Sequence, residues 1–309
     1  MSIIEVKNLT KTYGSFRAVD HISFTVESGT MLGFLGINGA GKSTTINMLS
    51  TLLLPCEGEA RICGHTLGKD DKDIRRNIGI VYQQNCLDPL LTVQENLICR
   101  GILHGASRSE AKKQLQKVCE LLKLQDILKK KYKVLSGGQK RRCEIGAALM
   151  HTPKVLFLDE PTTGLDPATR KDVWEIVEGL QKEEHMTVFL TTHYMEEAAA
   201  AHRIVILDHG RILAEGTPFA LKERFAMDSL KLYCKKEQVH TILSLPPFLD
   251  LPIKEEPDYI KVGISDTKAA LPLISAAEGL IDGFEVIQGN MDDVFLNAIQ
   301  ESNHMGGIR

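Results

Sequence analysis

No run in the sequence approaches the roughly 18 consecutive apolar positions of a membrane-spanning helix, so no bilayer span is expected. An excess of one charge sign is missing as well. Its 37 lysines and arginines against 40 aspartates and glutamates leave a net charge of −3, which gives no electrostatic footprint for nucleic acid or an anionic membrane surface. The seven cysteines are odd in number and form no C-x-x-C pair, a pattern of scattered reduced thiols rather than a disulfide framework. Residues 1–14, MSIIEVKNLTKTYG, carry neither the charged nor the apolar region of a signal peptide. Internal repeats and low-complexity tracts are absent. The expectation is a cytosolic protein that reaches a membrane only through a partner. What remains, 43% hydrophobic and 25% charged over 309 residues, suits a globular chain of more than one domain.

Two stretches carry chemistry at tight spacing. Thr30–Leu35 reads as a short buried strand, followed by Gly36-Ile37-Asn38-Gly39-Ala40-Gly41-Lys42-Ser43, which satisfies G-x-x-x-x-G-K-[ST]. Its glycines let the backbone wrap phosphates, and the helix starting near Thr44 aims its positive end at them. Lys42 then belongs on the β- and γ-phosphates and the Ser43 hydroxyl on magnesium. The second stretch runs from Leu135 to Pro167, with Val155–Leu158 as a strand that delivers Asp159 and Glu160 to its carboxyl end. An aspartate there can hold magnesium, and the glutamate beside it can take a proton from water. Ser136, Gly137 and Gly138 can offer backbone N–H groups to an anion. Asp166 and Pro167 read as the N-cap and first residue of a helix to about Glu184.

Other positions stay open on residue chemistry alone. Tyr13 is either a loop aromatic packed on a strand or a ring stacked on adenine. Gln83 ends the strand 78–82 and is either a strand cap or a site residue. His193 ends the strand Thr187–Thr192 and is either structural or aimed at the same edge as Asp159. Ser107 and Glu110 form a capping box that opens a helix with Ala111, Leu115, Val118, Leu121 and Leu122 on one face. Lys129–Lys131 reads as a solvated loop, and Glu196 and Glu197 as the first turn of a helix. From residue 228 prolines break up a looser region in which strand-like runs (230–233, 259–264, 284–287) alternate with helical ones.

In their order these motifs resemble the ATP-binding subunits of ABC transporters. LSGGQ at 135–139 is similar to the family signature, VLFLDEP at 155–161 to its Walker B strand, and GLDP at 164–167 to its D-loop. A fixed LSGGQ arises by chance in on the order of one in a few thousand chains this long. Lys11-x-Tyr13-Gly14 with Ala18-Val19 resembles the A-loop, Gln83 the Q-loop and Thr191-Thr192-His193 the switch histidine. The segment Met291–Leu296 resembles the end of drug-resistance-type members.

The resemblance implies an α/β fold, a P-loop NTPase of the ABC ATPase type. It spans 1–227 with a helical subdomain at about 87–150, and a small α/β appendage follows at 228–309. It implies ATP and Mg2+ as cofactors, with Gln83 near magnesium or the attacking water and His193 on the γ-phosphate. Tyr13, Val19, Asn38, Gly39, Ala40, Gly41, Lys42, Ser43 and Thr44 then hold the nucleotide of one chain. Ser136, Gly137, Gly138, Gln139 and Asp166 complete the site of a second ATP-binding chain. Transmembrane permease subunits are the implied partners, at the cytoplasmic face of a membrane, and the implied role is export of drugs or other hydrophobic molecules. The rivals are a soluble ABC-type ATPase acting on ribosomes or DNA, a regulatory switch built on residues 228–309, and a P-loop kinase, in which LSGGQ has no use.

Overall fold

A computed structural model describes residues 1–306, in two compact units, Met1–Glu215 and a second from Gly216 onward. The first runs β1 (Ser2–Tyr13), β2 (Phe16–Glu27), β3 (Met31–Leu35), α1 (Lys42–Leu49), β4 (Glu57–Ile62), β5 (His65–Thr66), α2 (Asp71–Asn77) and β6 (Ile78–Val81). It continues with α3 (Val93–Leu103), α4 (Arg108–Leu122), α5 (Gly137–Leu149), β7 (Val155–Asp159), α6 (Pro167–Glu183), β8 (Thr187–Thr192), β9 (Arg203–Asp208) and β10 (Arg211–Gly216).

Two sheets organise this unit: one of order β2-β1-β4-β5 and one of order β10-β9-β3-β8-β7-β6. Every residue of β3, β7 and β8 is buried, as expected of parallel strands covered on both faces. Phe24 of β2 meets Phe34 of β3 at 5.4 Å between ring centroids, and Phe189 lies 5.2 Å from both Phe34 and Phe157. These tilted rings join the sheets through one apolar core. The parallel register pairs Leu35 with Thr192, Asp159 with Thr191, and Val81 with Leu158. Four strands therefore end at one edge, and the residues that follow them in sequence are gathered there.

The helical insertion is α3, α4 and α5. The Ser107–Glu110 capping box starts α4, and Ala111, Leu115, Val118 and Leu122 are buried, with Leu121 half-buried. A second box, Thr92 with Glu95, starts α3. Glu196 and Glu197 fall in a short 3-10 turn, Met195–Ala200, rather than in an α-helix.

The second unit comprises α7 (Pro218–Phe225), β11 (Asp228–Tyr233), α8 (Lys236–Leu243), β12 (Ile253–Glu255), β13 (Tyr259–Ile264), α9 (Ala270–Ala276), β14 (Gly283–Ile287) and α10 (Met291–Gly306). The order β11-α8-β12-β13-α9-β14 is a split β-α-β arrangement, with an antiparallel sheet β12-β13-β11-β14 around Leu230, Leu232, Phe248, Ile260 and Val262. The sequence reading divides the chain at 227/228. In the structure α7 packs against α10, and the second compact unit begins at Gly216.

Candidate active site

The loop from Gly36 to Lys42 is built by close approach. A Cβ on Gly36 would lie 2.7 Å from the Leu207 carbonyl oxygen, and one on Gly41 2.5 Å from that of Ala18. Gly39 (φ 85°) and Gly41 (φ 107°) hold left-handed backbone that a side chain would strain. Gly41 caps α1, so the helix N-terminus opens into the loop. Asn38, Gly39 and Ser43 are exposed, Thr44 is half-buried and Ala40 is buried. The Lys42 ammonium lies under this arch. It donates to Gly36 O at 2.7 Å and Ile37 O at 3.1 Å, and stands 3.5 Å from Glu160 Oε1. Burial pushes its pKa down, and the Glu160 charge opposes that shift.

Glu160 is where the strand ends meet. Its Oε2 accepts from Gln83 Nε2 at 3.2 Å and from Thr163 Oγ1 at 3.1 Å. His193 Nδ1 is 3.2 Å from the same oxygen, but the alignment makes no hydrogen bond and leaves this buried nitrogen without a partner. The backbone of Glu160 is left-handed (φ 46°) immediately before Pro161, a combination that costs of order 1–3 kcal/mol. Thr191 holds it in place: the Glu160 N–H donates to both Thr191 O and Thr191 Oγ1, each at 3.1 Å. The Thr191 hydroxyl in turn donates to Asp159 Oδ1 at 2.6 Å, and Ser43 Oγ reaches the same oxygen at 3.4 Å. Hydroxyl, carboxylate and amide oxygens at one strand edge are the hard donors that suit magnesium. The arch, the buried cation and the unpartnered imidazole nitrogen together fit a polyphosphate.

Sequence reasoning missed the braces around this cluster. Arg141 of α5 is buried and donates to Pro161 O and Tyr82 O, both at 2.6 Å, and to Asp159 O at 3.2 Å. Burial pushes its guanidinium pKa down to about 10. One turn on, Glu144 accepts from the N–H groups of Cys86 (2.9 Å) and Leu87 (3.1 Å) and from Tyr132 Oη (2.7 Å). The segment after Gln83, the end of β7 and helix α5 are thereby fastened together. Glu197 bridges two loops, accepting from Thr162 Oγ1 and, at 2.7 Å, from Thr192 Oγ1.

The LSGGQ residues begin a helix. Ser136 caps α5 and forms a capping box with Gln139, so Gly137 and Gly138 are its first turn. A Cβ on Gly138 would lie 2.3 Å from Thr169 Cγ2, which makes glycine a requirement of the α5–α6 approach. Asp166 caps α6, accepting from Thr169 N at 3.1 Å and Thr169 Oγ1 at 2.5 Å. No hydrogen bond among the described residues links Ser136–Gln139 or Asp166 to the Gly36–Ser43 loop. Tyr13 stands exposed at the β1–β2 tip with Lys11 Nζ 5.7 Å from its ring centroid. Val19, grouped with the nucleotide contacts in the sequence reading, is fully buried and packs beneath Gly41, so it supports the loop from below.

A family model described as ABC transporter matches residues 19–163. The daunorubicin/doxorubicin resistance ATP-binding protein of Streptomyces peucetius is 38% identical over 95% of this chain and 91% of its own length. The linearmycin resistance ATP-binding protein of Bacillus subtilis is 43% identical over 74% of this chain and 73% of its own length. Among solved structures, an ATP-binding cassette captured as a post-hydrolysis dimer with ADP and Pi superposes with a TM-score of 0.63 at 32% identity, over 69% of this chain and 98% of that one. A cbiO1 subunit from Clostridium perfringens, part of an ABC transporter complex, gives 0.67 at 25% identity over 80% and 97%. No helix among the described residues is long and apolar enough to cross a membrane. The chain belongs to the ATP-hydrolysing, ATP-binding proteins of the ABC transporter family.

Proposed function

We propose that this chain powers a membrane exporter of drugs or other hydrophobic molecules, and that two such chains enclose ATP between them. The observation that carries the reading is the convergence of Lys42, Gln83, Thr163 and His193 on the Glu160 carboxylate. Glu160 acts as general base. Without nucleotide it serves as the counter-charge of Lys42. The β- and γ-phosphates replace it in that role and free the carboxylate to face water. Water attacks the γ-phosphorus, its proton passes to a Glu160 oxygen, and the bond from the γ-phosphorus to the bridging oxygen breaks, giving ADP and inorganic phosphate. Ser43 and Asp159, with Gln83, would hold Mg2+, which neutralises phosphate charge during transfer. His193 donates to the γ-phosphate and Tyr13 stacks on the adenine.

The first turn of α5 (Ser136 to Gln139) and Asp166 serve the nucleotide of the other chain. Their distance in bonding from their own P-loop and their placement at solvent-facing helix N-termini support that reading. The partners are a second ATP-binding chain and transmembrane permease subunits on the cytoplasmic face, which provide the only membrane contact. The export role draws on the relatives named for daunorubicin, doxorubicin and linearmycin resistance.

The test is capture of the Glu160→Gln chain from native membranes in mild detergent with ATP present. A stoichiometric polytopic membrane protein is the expected companion. Recovery only with ribosomes, nucleic acid or itself would overturn the transporter reading.

A further inference from the structure

The sheet of the second unit has two edges, and only one is protected. Edge strand β12 has three residues, carries Lys254, and is bracketed by Pro252 and Pro257. Short length, lysine and proline are the devices that stop an edge from pairing with another chain. Edge strand β14, Gly283-Phe284-Glu285-Val286-Ile287, has five residues and none of these devices.

The register tells which groups it offers. Gly263 N donates to Pro252 O, so the odd-numbered residues of β13 turn their backbone toward β12 and the even-numbered ones toward β11. Through the pairs Ile260–Leu232 and Leu230–Val286, the odd-numbered residues of β14 face β11. Phe284 and Val286 therefore present their N–H and C=O groups outward, with no strand among the described residues beside them. Phe284 is also 53% exposed although it lies on the core face of the sheet. The one charged residue of the strand, Glu285, is on the opposite face and is held by Lys231 Nζ at 3.2 Å and Tyr233 Oη at 3.4 Å.

We propose that β14 is a self-association strand, pairing antiparallel with β14 of a second copy of this chain so that two four-stranded sheets become one of eight. A two-fold antiparallel pairing uses the same residues on both sides, and this strand satisfies that symmetry. Centring it on Glu285 would set like charges directly opposite each other, which is unfavourable. The ladder is therefore centred on Phe284 or on Val286. One five-residue edge buries far less than the roughly 1,200 Å² of a stable free-standing interface. It works between chains already held together, where the second contact forms at a high effective concentration. The inference thus rests on the paired-chain reading above.

The experiment uses the full chain with Cys56, Cys86 and Cys99, the exposed cysteines, changed to serine. Phe284→Cys and Val286→Cys are made separately in the Glu160→Gln background, and each is oxidised with copper phenanthroline in the presence of ATP. One of the two gives a disulfide-linked dimer absent from the parent, because residues opposed at the centre bring their Cα atoms to about 5.5 Å, within disulfide reach. Residues two positions off the centre on each chain stand about 13 Å apart along the strands and do not link. Proline at the non-linking position removes an outward N–H, leaves the β11 ladder intact, and abolishes the link. Retained ATP binding and circular dichroism show that these variants fold. If light scattering shows an ATP-dependent dimer but neither cysteine links, this inference fails alone. If no dimer forms at all, the paired-chain reading fails with it. A link to a membrane subunit instead, or one that survives the proline, overturns the proposal.

Discussion

Replacing Arg141 with methionine should loosen the hydrolysis apparatus while leaving the phosphate loop intact. The buried guanidinium supplies the donors for Pro161 O, Tyr82 O and Asp159 O, at 2.6, 2.6 and 3.2 Å. Methionine fills similar volume but donates nothing, so three carbonyls lose a charged partner at about 1–3 kcal/mol each. Relief from burying the guanidinium offsets part of this, and the net cost is about 4 kcal/mol. For a unit the size of Met1–Glu215, about 2–4 °C of Tm accompanies each kcal/mol. The first thermal transition should therefore fall by about 8–16 °C. Because the lost bonds hold the ends of β6 and β7 and not the Gly36–Ser43 arch, kcat should drop at least tenfold while the ATP Kd measured by calorimetry stays within about threefold. A Tm loss below about 2 °C, or a Kd that worsens as much as kcat, would refute the bracing role.

Lys42→Ala should abolish measurable ATP affinity, since the cation beneath the arch disappears; unchanged binding in a fluorescent-nucleotide titration would discredit the loop. Gly138→Ala should cost about 1–2 kcal/mol by chemical denaturation, because the new methyl displaces Thr169 from its bond to Asp166. Wild-type stability there would mean the α5–α6 approach is softer than its geometry. His151, stacked on His104 with centroids 3.8 Å apart, donates from Nε2 to Ile78 O at 2.8 Å, and burial pushes its pKa from 6.5 down to about 4. A base with a folded pKa below its unfolded value binds fewer protons folded than unfolded, so stability declines as pH falls from about 6.5 to 4. By linkage the decline reaches roughly 3 kcal/mol. His151→Gln should flatten that part of the Tm-against-pH curve; an unchanged slope would assign it elsewhere.

The residues gathered at the candidate site were legible because their chemistry depends on short-range patterns. A glycine arch, a lysine and a hydroxyl must be neighbours in sequence, and so must Asp159 and Glu160 at a strand end. The braces were not legible for the opposite reason. Arg141 binds backbone carbonyls 18 to 59 residues away, and a carbonyl leaves no mark on residue type. Thr191 and Glu197 likewise act on positions more than thirty residues upstream. Asp166 and Pro167 declared their cap, because N-capping is local. In the second unit the longer strands were visible. Helices α8 and α9, at eight and seven residues, and the three-residue β12 were too short for periodicity to declare them. Helix α7 packs against α10, a partner at the far end of the chain that no local pattern reveals.

Glu160 is proposed as the base of a two-chain ATPase. Its most direct test is phosphate release by Glu160→Gln beside wild type, with ATP binding and dimerisation followed in the same samples. Turnover lowered by about 10²–10⁴, with ATP still bound and the dimer persisting, is the predicted result. Full turnover in that variant would contradict it.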